Sequence, residues 1–348
     1  MSGRIPLVVE LCAGSAAVTL RLIGGPNARP PISYMGSKRG YAEAILNVLG
    51  LRSGQGADAV VLVEAGPWAR AWRLLTTPEG CRAVADVIRG WVGEDARALW
   101  DRLRAEPVPE DAAEAVGAWC YLAANSYRKG DPGSGFDDAM ERVAKGTKWG
   151  ADTRGTAVDA CAALAALSWP PVQVIEGDVC GVEPRSVARW LWVTGHGDYS
   201  KPPRLAGPWS GNPRNVFSTP RPGWIARRID SAPAWPPTVV AQADVGRVQP
   251  GVLPEGTVVY MDPPYAKTTG YAHDLPREKV LEVAQRWAAA GAVVCVSEAE
   301  PLPLDGWHHV EITDCRVGQK RTWSKQKQEW LTLNREPAWR PGVQRTLL

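Results

Sequence analysis

Residues 4–22 read RIPLVVELCAGSAAVTLRL, an apolar run that ends at a cluster of small residues and continues with helical spacing. This order predicts a buried strand, a tight turn and a helix. Residues 34–51 follow as a loop that enters an amphipathic helix, and residues 59–66, AVVLVEAG, have the composition of a second buried strand. Uninterrupted apolar strands that alternate with helices are typical of a parallel sheet with helices on both faces. The sequence therefore predicts an α/β fold.

The same alternation returns in the last third of the chain. TVVYMDPPY (257–265) predicts a strand that stops at two prolines, 276–291 predicts a helix, and AVVCVSE (292–298) predicts another buried strand. Residues 308–317 and 327–336 alternate in hydrophobicity, so we expect them to pair as an antiparallel hairpin or to form an edge of the sheet.

The region between these halves is less regular. Residues 79–130 are mainly helical in pattern, and 185–234 is a long stretch rich in Pro, Gly, Trp and Arg. A structureless loop of that length is unusual inside a compact domain, so we interpret it as a functional insert or a small lobe. The predicted organisation is a discontinuous α/β domain (1–118 and 238–336), an inserted region (119–237) and a tail (337–348).

Composition places the chain among globular proteins. Of its 348 residues, 45% are hydrophobic and 22% are charged, which excludes disorder for most of the chain. No apolar run is long enough to predict a membrane span, and the first residues lack the pattern of a signal peptide. We expect a cytoplasmic protein that does not bind membranes.

The formal net charge of +3 does not by itself indicate nucleic-acid binding, but basic residues cluster locally. Residues 200–229 contain six Lys or Arg and no acid, and residues 315–348 contain eight against two acids. Such segments are either solvated loops, which is the commoner case, or contacts to phosphates. The seven cysteines and four histidines show no metal-ligand spacing, so we expect no metal site.

The most specific motif is Asp262-Pro263-Pro264-Tyr265, which follows an apolar strand. Ligands of open α/β sheets bind beyond the carboxyl ends of the strands. Two prolines fix φ and remove two backbone donors, which leaves a rigid turn with a carboxylate, a free carbonyl and an aromatic ring. These groups suit a flat ring that bears an amine, because the oxygens accept its N–H groups and the tyrosine stacks on its face. The alternative is a plain turn from strand to loop.

The segment VVYMDPPY resembles the catalytic motif of DNA amino-methyltransferases that use S-adenosylmethionine, in particular the Dam-type adenine-N6 methyltransferases. LVVELCAGSAAVTL resembles their cofactor motif, SYMGSKRGYAEAIL their Lys-bearing block, and VVLVEAG the acidic strand end that binds the cofactor ribose. CYLAANSYRKG resembles the block that opens target recognition, and AGAVVCVSE and KQKQEWLTLN resemble the closing strands. The resemblance implies a Rossmann-like methyltransferase sheet, with 119–237 as the target-recognition region.

The resemblance also implies the residues of the site. Asp262, Pro263, Pro264 and Tyr265 would be catalytic. S-adenosylmethionine would be bound by Glu10, Ala13, Gly14, Ser15, Tyr34, Met35, Gly36, Lys38, Glu64, Asp262 and one of two further candidates, Asp244 or Asp178, of which the spacing favours Asp244. In Dam-type enzymes the Lys-bearing block precedes the cofactor motif, whereas Lys38 follows it, so the sequence leaves the position of Lys38 open.

In the mechanism that the resemblance implies, the target base is flipped out of the duplex. Tyr265 would stack on the base, and Asp262 and the Pro263 carbonyl would accept its two N–H groups. Methyl transfer would be a direct in-line displacement, helped mainly by positioning. Contacts to double-stranded DNA are expected from Asn125, Arg128, Arg204, Arg214, Arg221, Arg227, Arg228, Lys320, Arg321 and Lys325.

Other functions stay open at this point. The same site could methylate N4 of cytosine, act on RNA or transfer another group, or the chain could be a catalytically silent DNA-binding protein of this fold. The chain has no Pro-Cys dipeptide, so cytosine-C5 methylation is set aside. A partner restriction nuclease would be a separate chain, and the tail VQRTLL (343–348) vaguely resembles a peptide that binds a sliding clamp.

Overall fold

The apolar runs of the sequence form the strands of one sheet, and the amphipathic stretches form helices that cover it. The computed structural model describes residues 3–32, 37–66, 68–125, 153–170, 172–176, 187–188, 253–265, 275–317 and 328–342. The strands are β1 (Val8–Leu11), β2 (Val60–Glu64), β3 (Val172–Glu176), β4 (Val258–Met261), β5 (Val293–Glu298), β6 (His308–Glu311) and β7 (Trp330–Leu333). The α-helices are α1 (Ala17–Gly24), α2 (Ala42–Val48), α3 (Trp68–Leu75), α4 (Pro78–Gly90), α5 (Ala96–Ala105), α6 (Ala112–Asn125), α7 (Thr153–Ala165) and α8 (Arg277–Ala289).

The strands lie in the order β3-β2-β1-β4-β5-β7-β6. Strands β1 to β5 are parallel, and β7 is antiparallel to both of its neighbours, which confirms the predicted pairing of the last two strands. The chain adds strands to one side of β1 and then to the other, so the order reverses between β1 and β4. Ligands of open α/β sheets bind beyond the carboxyl ends of the strands at such a switch point.

The register aligns the carboxyl ends of three central strands. Leu11 of β1 pairs with Val63 of β2 on one side and with Met261 of β4 on the other. The residues at and just beyond these ends, including Glu64 and Asp262, therefore emerge at one edge of the sheet.

Side chains of the strands alternate between two hydrophobic layers. Val8 and Tyr260 face the layer formed with α1 to α7, whereas Val9 and Met261 face the layer formed with α8, to which Trp287 contributes the largest buried side chain. Helices therefore cover both faces, and the predicted α/β architecture with a largely parallel sheet is confirmed.

A cluster of tryptophans packs α3 and α6 together beside the β3 end of the sheet. The rings of Trp68 and Trp72 stack with their centroids 5.4 Å apart, and Trp119 meets Trp68 edge-on at 5.0 Å. Trp169, just before β3, lies 6.2 Å from Trp72. These tryptophans belong to the core, which is the commoner location for such large apolar rings.

Residues 153–176 fall within the expected inserted region (119–237), yet they contribute α7 and β3 to this body, with β3 paired to β2. Part of the expected tail is packed as well, because Ala338 N donates to the Val48 carbonyl at 2.9 Å. Residues 343–348 and nearly all of the irregular stretch 185–234 lie outside the described residues. Among the helices that the structure describes, none combines the length and the apolar character needed to cross a membrane.

Candidate active site at the carboxyl ends of the central strands

The turn after β1 is tight and lies against β2 and α3. Cys12, Gly14 and Ala16 all have positive φ, at 55°, 46° and 46°, a conformation that L-residues rarely adopt. The turn is fixed by Ala13 N, which donates to the Val63 carbonyl at 2.9 Å, and by Trp72 Nε1, which donates to the Gly14 carbonyl at 2.7 Å. A Cβ added at Gly14 would meet no atom of the described residues within 4 Å. As far as these residues go, there is room for a ligand close to the backbone.

The Glu64 carboxylate, at the end of β2, is held by two backbone donors. Gly14 N donates to Oε2 and Gly66 N donates to Oε1, each at 2.7 Å. A Cβ at Gly66 would lie 2.8 Å from Oε1, so a larger residue here would displace the Glu64 carboxylate from this position. Glu64 is therefore held in a fixed orientation at the carboxyl end of β2, beside the β1 turn.

Glu10 lies within β1 and is buried, with 2% of its surface exposed. Its Oε2 accepts from Thr19 N at 3.0 Å, in the first turn of α1. The first residues of a helix have unsatisfied N–H groups and a partial positive charge, so the Glu10 carboxylate stabilises the N-terminus of α1. Burial raises the pKa of Glu10 to about 7, and the nearby Asp262 carboxylate adds to the effect.

Asp262 extends β4 by one residue, because its N donates to the Leu11 carbonyl at 3.2 Å. Its Oδ1 lies 2.8 Å from Nζ of Lys38, whose side chain is only 8% exposed. Burial raises the pKa of Asp262, while the ammonium of Lys38 opposes that shift. Lys38 begins a short 3-10 helix, Lys38–Gly40, and Ser37 before it shares a 2.7 Å hydrogen bond with Ser15 in the β1 turn. The segment that carries Lys38 is thus tied to both β1 and β4.

Tyr265 completes the group. The Lys38 ammonium lies 4.4 Å from the centroid of the Tyr265 ring, within the range of a cation–π contact. The Tyr265 hydroxyl donates to Oε1 of Glu329, the residue before β7, and this oxygen lies 3.7 Å from Lys38 Nζ. Burial raises the pKa of Glu329 to about 7, although Lys38 opposes the shift.

Among the described residues, the centre of the site has more carboxyl groups than cations. Glu10, Asp262 and Glu329 all interact electrostatically around Lys38 or Asp262, and each has a raised pKa for which burial is the largest cause. A region of this kind favours either bound protons or a cationic ligand. The perturbed carboxyl groups, the strained turn and the room that the described residues leave at Gly14 occur at the switch point, which is typical of a ligand site.

The structure brings together the following predicted site residues: Glu10, Ala13, Gly14, Ser15, Lys38, Glu64, Asp262, Pro263, Pro264 and Tyr265. The position of Lys38, which the sequence left open, is therefore beside Asp262. The other candidates for cofactor binding (Tyr34, Met35, Gly36, Asp178 and Asp244) lie outside the described residues, as do Arg128, Arg204, Arg214, Arg221, Arg227, Arg228, Lys320, Arg321 and Lys325.

Asn125 is the one expected DNA contact that falls within the described residues. It ends α6, is 2% exposed, and its Nδ2 donates to the Tyr121 carbonyl one turn earlier at 2.8 Å. An amide buried in this way is not presented to solvent. This burial argues against the direct DNA contact that the sequence predicts for Asn125.

Three residues of the site were not among the predicted ones. Glu329 contacts Tyr265 and Lys38, Ser37 contacts Ser15, and Trp72 contacts the β1 turn. Glu329 is a single acid next to a basic segment, and Trp72 is one of 17 tryptophans, so neither has a local sequence signal. Ser37 lies beside Lys38 within the Lys-bearing block, and its adjacency to Lys38 is the only signal that could have indicated it.

Comparison with known proteins finds no family model that matches the chain, and no curated protein that matches it in sequence. An α/β fold hosts many unrelated activities, so the fold alone does not assign one. The residues at the switch point and their geometry are therefore the features of this molecule that bear on its function.

Proposed function

We propose that this protein transfers the methyl group of S-adenosylmethionine to the exocyclic N6 of adenine in duplex DNA. The observation that carries the proposal is the position of Asp262-Pro263-Pro264-Tyr265 at the end of β4, directly beside the small-residue turn of β1. An amine-binding group and a turn suited to close ligand approach thus share one crevice. The choice of DNA and of adenine rests on the resemblance of the motifs.

The residues present fit the proposed cofactor. The Glu64 carboxylate is held at the end of β2 by two backbone N–H groups, the position that binds ribose hydroxyls in dinucleotide sites, and no described residue would meet a Cβ at the neighbouring Gly14. The excess of carboxyl groups around Lys38 suits a ligand that carries a positive charge. When bound, S-adenosylmethionine supplies an electrophilic methyl group on a sulfonium cation.

The groups after β4 fit the acceptor base. The Asp262 carboxylate uses one oxygen for Lys38 and has further lone pairs for an N–H group of the base. The Pro263 carbonyl accepts the second N–H, and Tyr265 offers a ring for stacking. Accepting both N–H groups draws the amine nitrogen toward tetrahedral geometry, which concentrates its lone pair for the attack.

In the proposed transfer, Asp262 and the Pro263 carbonyl would hold the amine so that its nitrogen lone pair could form the new N–C bond. The bound S-adenosylmethionine would supply the methyl group, and the electrons of the C–S bond would remain on sulfur. The nitrogen then carries one proton too many, and the Asp262 carboxylate that it already contacts can accept that proton. No covalent intermediate with the protein is required. The residues act mainly by positioning and by electrostatic stabilisation of the charge that develops on nitrogen.

The test is to incubate the purified protein with methyl-labelled S-adenosylmethionine and mixed-sequence duplex DNA, then to digest the DNA and analyse its nucleosides by mass spectrometry. Labelled N6-methyl-2′-deoxyadenosine supports the proposal. Labelled N4-methyl-2′-deoxycytidine would favour the cytosine alternative instead. Absence of label in DNA despite cofactor binding would contradict the proposed substrate.

A further inference from the structure

Glu329 reaches the site because β7 runs against the parallel strands. The first residue of β7, Trp330, pairs with Glu298 at the carboxyl end of β5, so the residue before it arrives at the same edge as Asp262. The Glu329 backbone is fixed there. Its N donates to Thr313 Oγ1 at 3.0 Å, and its carbonyl accepts from Ile312 N at 2.8 Å.

The Glu329 side chain closes a ring of contacts between three segments of the chain. Its Oε1 accepts from the Tyr265 hydroxyl and lies 3.7 Å from Lys38 Nζ. Lys38 in turn pairs with Asp262 at 2.8 Å and covers the Tyr265 ring at 4.4 Å. The aromatic ring, the ammonium and the carboxylate that would receive the base are therefore all fixed by contacts to one another, and Glu329 contacts two of them.

Burial of the Glu329 carboxylate lowers the free energy of unfolding, which is not expected of a side chain whose role is stability alone. The Glu329 side chain is 7% exposed, and Lys38, its ion-pair partner among the described residues, lies closer to Asp262 than to Glu329. A buried carboxylate with a shared cation loses hydration that pairing does not fully return. Such groups are typical of functional sites, where geometry is maintained at the expense of stability.

We infer that Glu329 is a positioning residue of the proposed methyl transfer. Its carboxylate fixes the tilt of the Tyr265 ring and holds Lys38 against one face of that ring. Because the ammonium covers that face, a flipped base stacks on the opposite one. Lys38, held between two carboxylates, then orients Asp262 toward the amine of the base. The inference rests on the proposed function and adds the residue that sets its geometry.

The first test is Glu329→Gln, which keeps the size and an acceptor oxygen but removes the charge. We expect kcat for methyl transfer to mixed-sequence duplex DNA to fall about 10-fold or more, with less than about a twofold change in KM for S-adenosylmethionine. The matched control is Glu336→Gln, in the same C-terminal part of the chain. The Glu336 side chain is 77% exposed, so this variant is expected to keep the wild-type kcat.

The second test is a double-mutant cycle with Tyr265→Phe, which keeps the ring and removes the hydroxyl. Tyr265→Phe removes the hydrogen bond to residue 329, and Glu329→Gln weakens the same bond because its acceptor loses its charge. The double variant is therefore expected to lose little more than the worse single variant. Additive losses would contradict a shared role.

The pH profile supplies a readout that a purely structural role would not move. Among the described residues, six charged or titratable groups interact electrostatically with Glu329. Lys38 and Tyr41 precede α2, Tyr260 lies in β4, Asp262 and Tyr265 follow β4, and Cys295 lies in β5. Without the charge at 329, one of the carboxylates near Asp262 is gone and Lys38 is no longer shared, so the pKa of Asp262 falls. The rising limb of kcat against pH is expected to move to lower pH in Glu329→Gln and to stay in place in Glu336→Gln.

The outcomes separate this inference from the function on which it rests. If the wild type is active and Glu329→Gln has the same kcat and the same pH profile of kcat, the positioning role is wrong. The proposed methyl transfer would not be affected by that result. An inactive wild type contradicts the proposed function, and the positioning role with it. If Glu329→Gln shows no cooperative unfolding, Tyr265→Phe decides: a comparable loss of kcat is expected, and a normal kcat overturns the inference.

Discussion

At the scale of single residues, the environment gives different roles to carboxylates at neighbouring strand ends. Glu64 is oriented by two backbone N–H groups and faces the crevice. Glu10 is buried and caps α1, whereas Asp262 is paired with Lys38. In the proposed function, Glu64 therefore contacts the cofactor, Glu10 supports the β1 turn, and Asp262 contacts the amine of the base.

Replacement of Glu64 by Ala is expected to weaken binding of S-adenosylmethionine by about 10- to 100-fold, which is the range for loss of hydrogen bonds to a charged group. DNA affinity should change by less than about twofold, because the β2 end is not the proposed base site. Isothermal titration calorimetry for the cofactor and fluorescence anisotropy for DNA measure the two effects. Glu79→Ala, at a side chain 76% exposed, is the control, and a larger loss in DNA affinity than in cofactor affinity would refute the ribose role.

At the scale of elements, the parts of the site that are local in sequence are the parts that sequence predicts. The β1 turn and the turn after β4 each combine a buried strand with the residues that follow it, so one segment contains the whole signal. The contact between Lys38 and Asp262 joins segments more than 200 residues apart and depends on how the 3-10 helix docks. Glu329 depends on β7 entering the sheet between β5 and β6 in the antiparallel direction, which local periodicity does not specify.

The contact between Glu10 and α1 predicts a pH dependence of stability. The pKa of Glu10 rises from 4.5 to about 7 on folding, so the folded state binds the proton more tightly than the unfolded state. The contribution of this group to the free energy of unfolding is fully present below 4.5 and is lost as the pH rises to about 7, by up to about 3 kcal/mol. Glu10→Gln keeps an acceptor for Thr19 N but removes the titration.

Urea unfolding at about pH 5 and about pH 8 measures this effect. We expect the free energy of unfolding to fall less over this interval in Glu10→Gln than in the wild type. Asp58→Asn, at an exposed ion pair far from the switch point, should retain the wild-type pH dependence. An identical pH dependence in Glu10→Gln and wild type would show that Glu10 is ionised in the folded state.

At the scale of the whole molecule, a weakly basic chain encloses an acidic site. The net charge is +3, but within the part of the chain that the structure describes, Lys38 is outnumbered by carboxyl groups at the switch point. The pKa values of Glu10 and Glu329, both about 7, mean that this site holds protons near neutral pH. A ligand cation that enters the site favours the ionised carboxylates and so displaces those protons.

Binding of S-adenosylmethionine at about pH 7 is therefore expected to release protons, and binding of S-adenosylhomocysteine, which lacks the sulfonium charge, to release fewer. The two ligands differ by one methyl group, so each serves as the control for the other. Calorimetry in two buffers of different ionisation enthalpy counts the protons. Equal proton release for both ligands would contradict an acidic site that recognises the sulfonium.

The most direct test of the central claim is mass spectrometry of nucleosides from duplex DNA incubated with methyl-labelled S-adenosylmethionine and either the wild type or Asp262→Asn. The variant keeps the size of the side chain and removes its charge, and circular dichroism checks that it folds. We expect labelled N6-methyl-2′-deoxyadenosine with the wild type and at least about 100-fold slower labelling with the variant. No labelled nucleoside with the wild type, or equal labelling by both proteins, would contradict it.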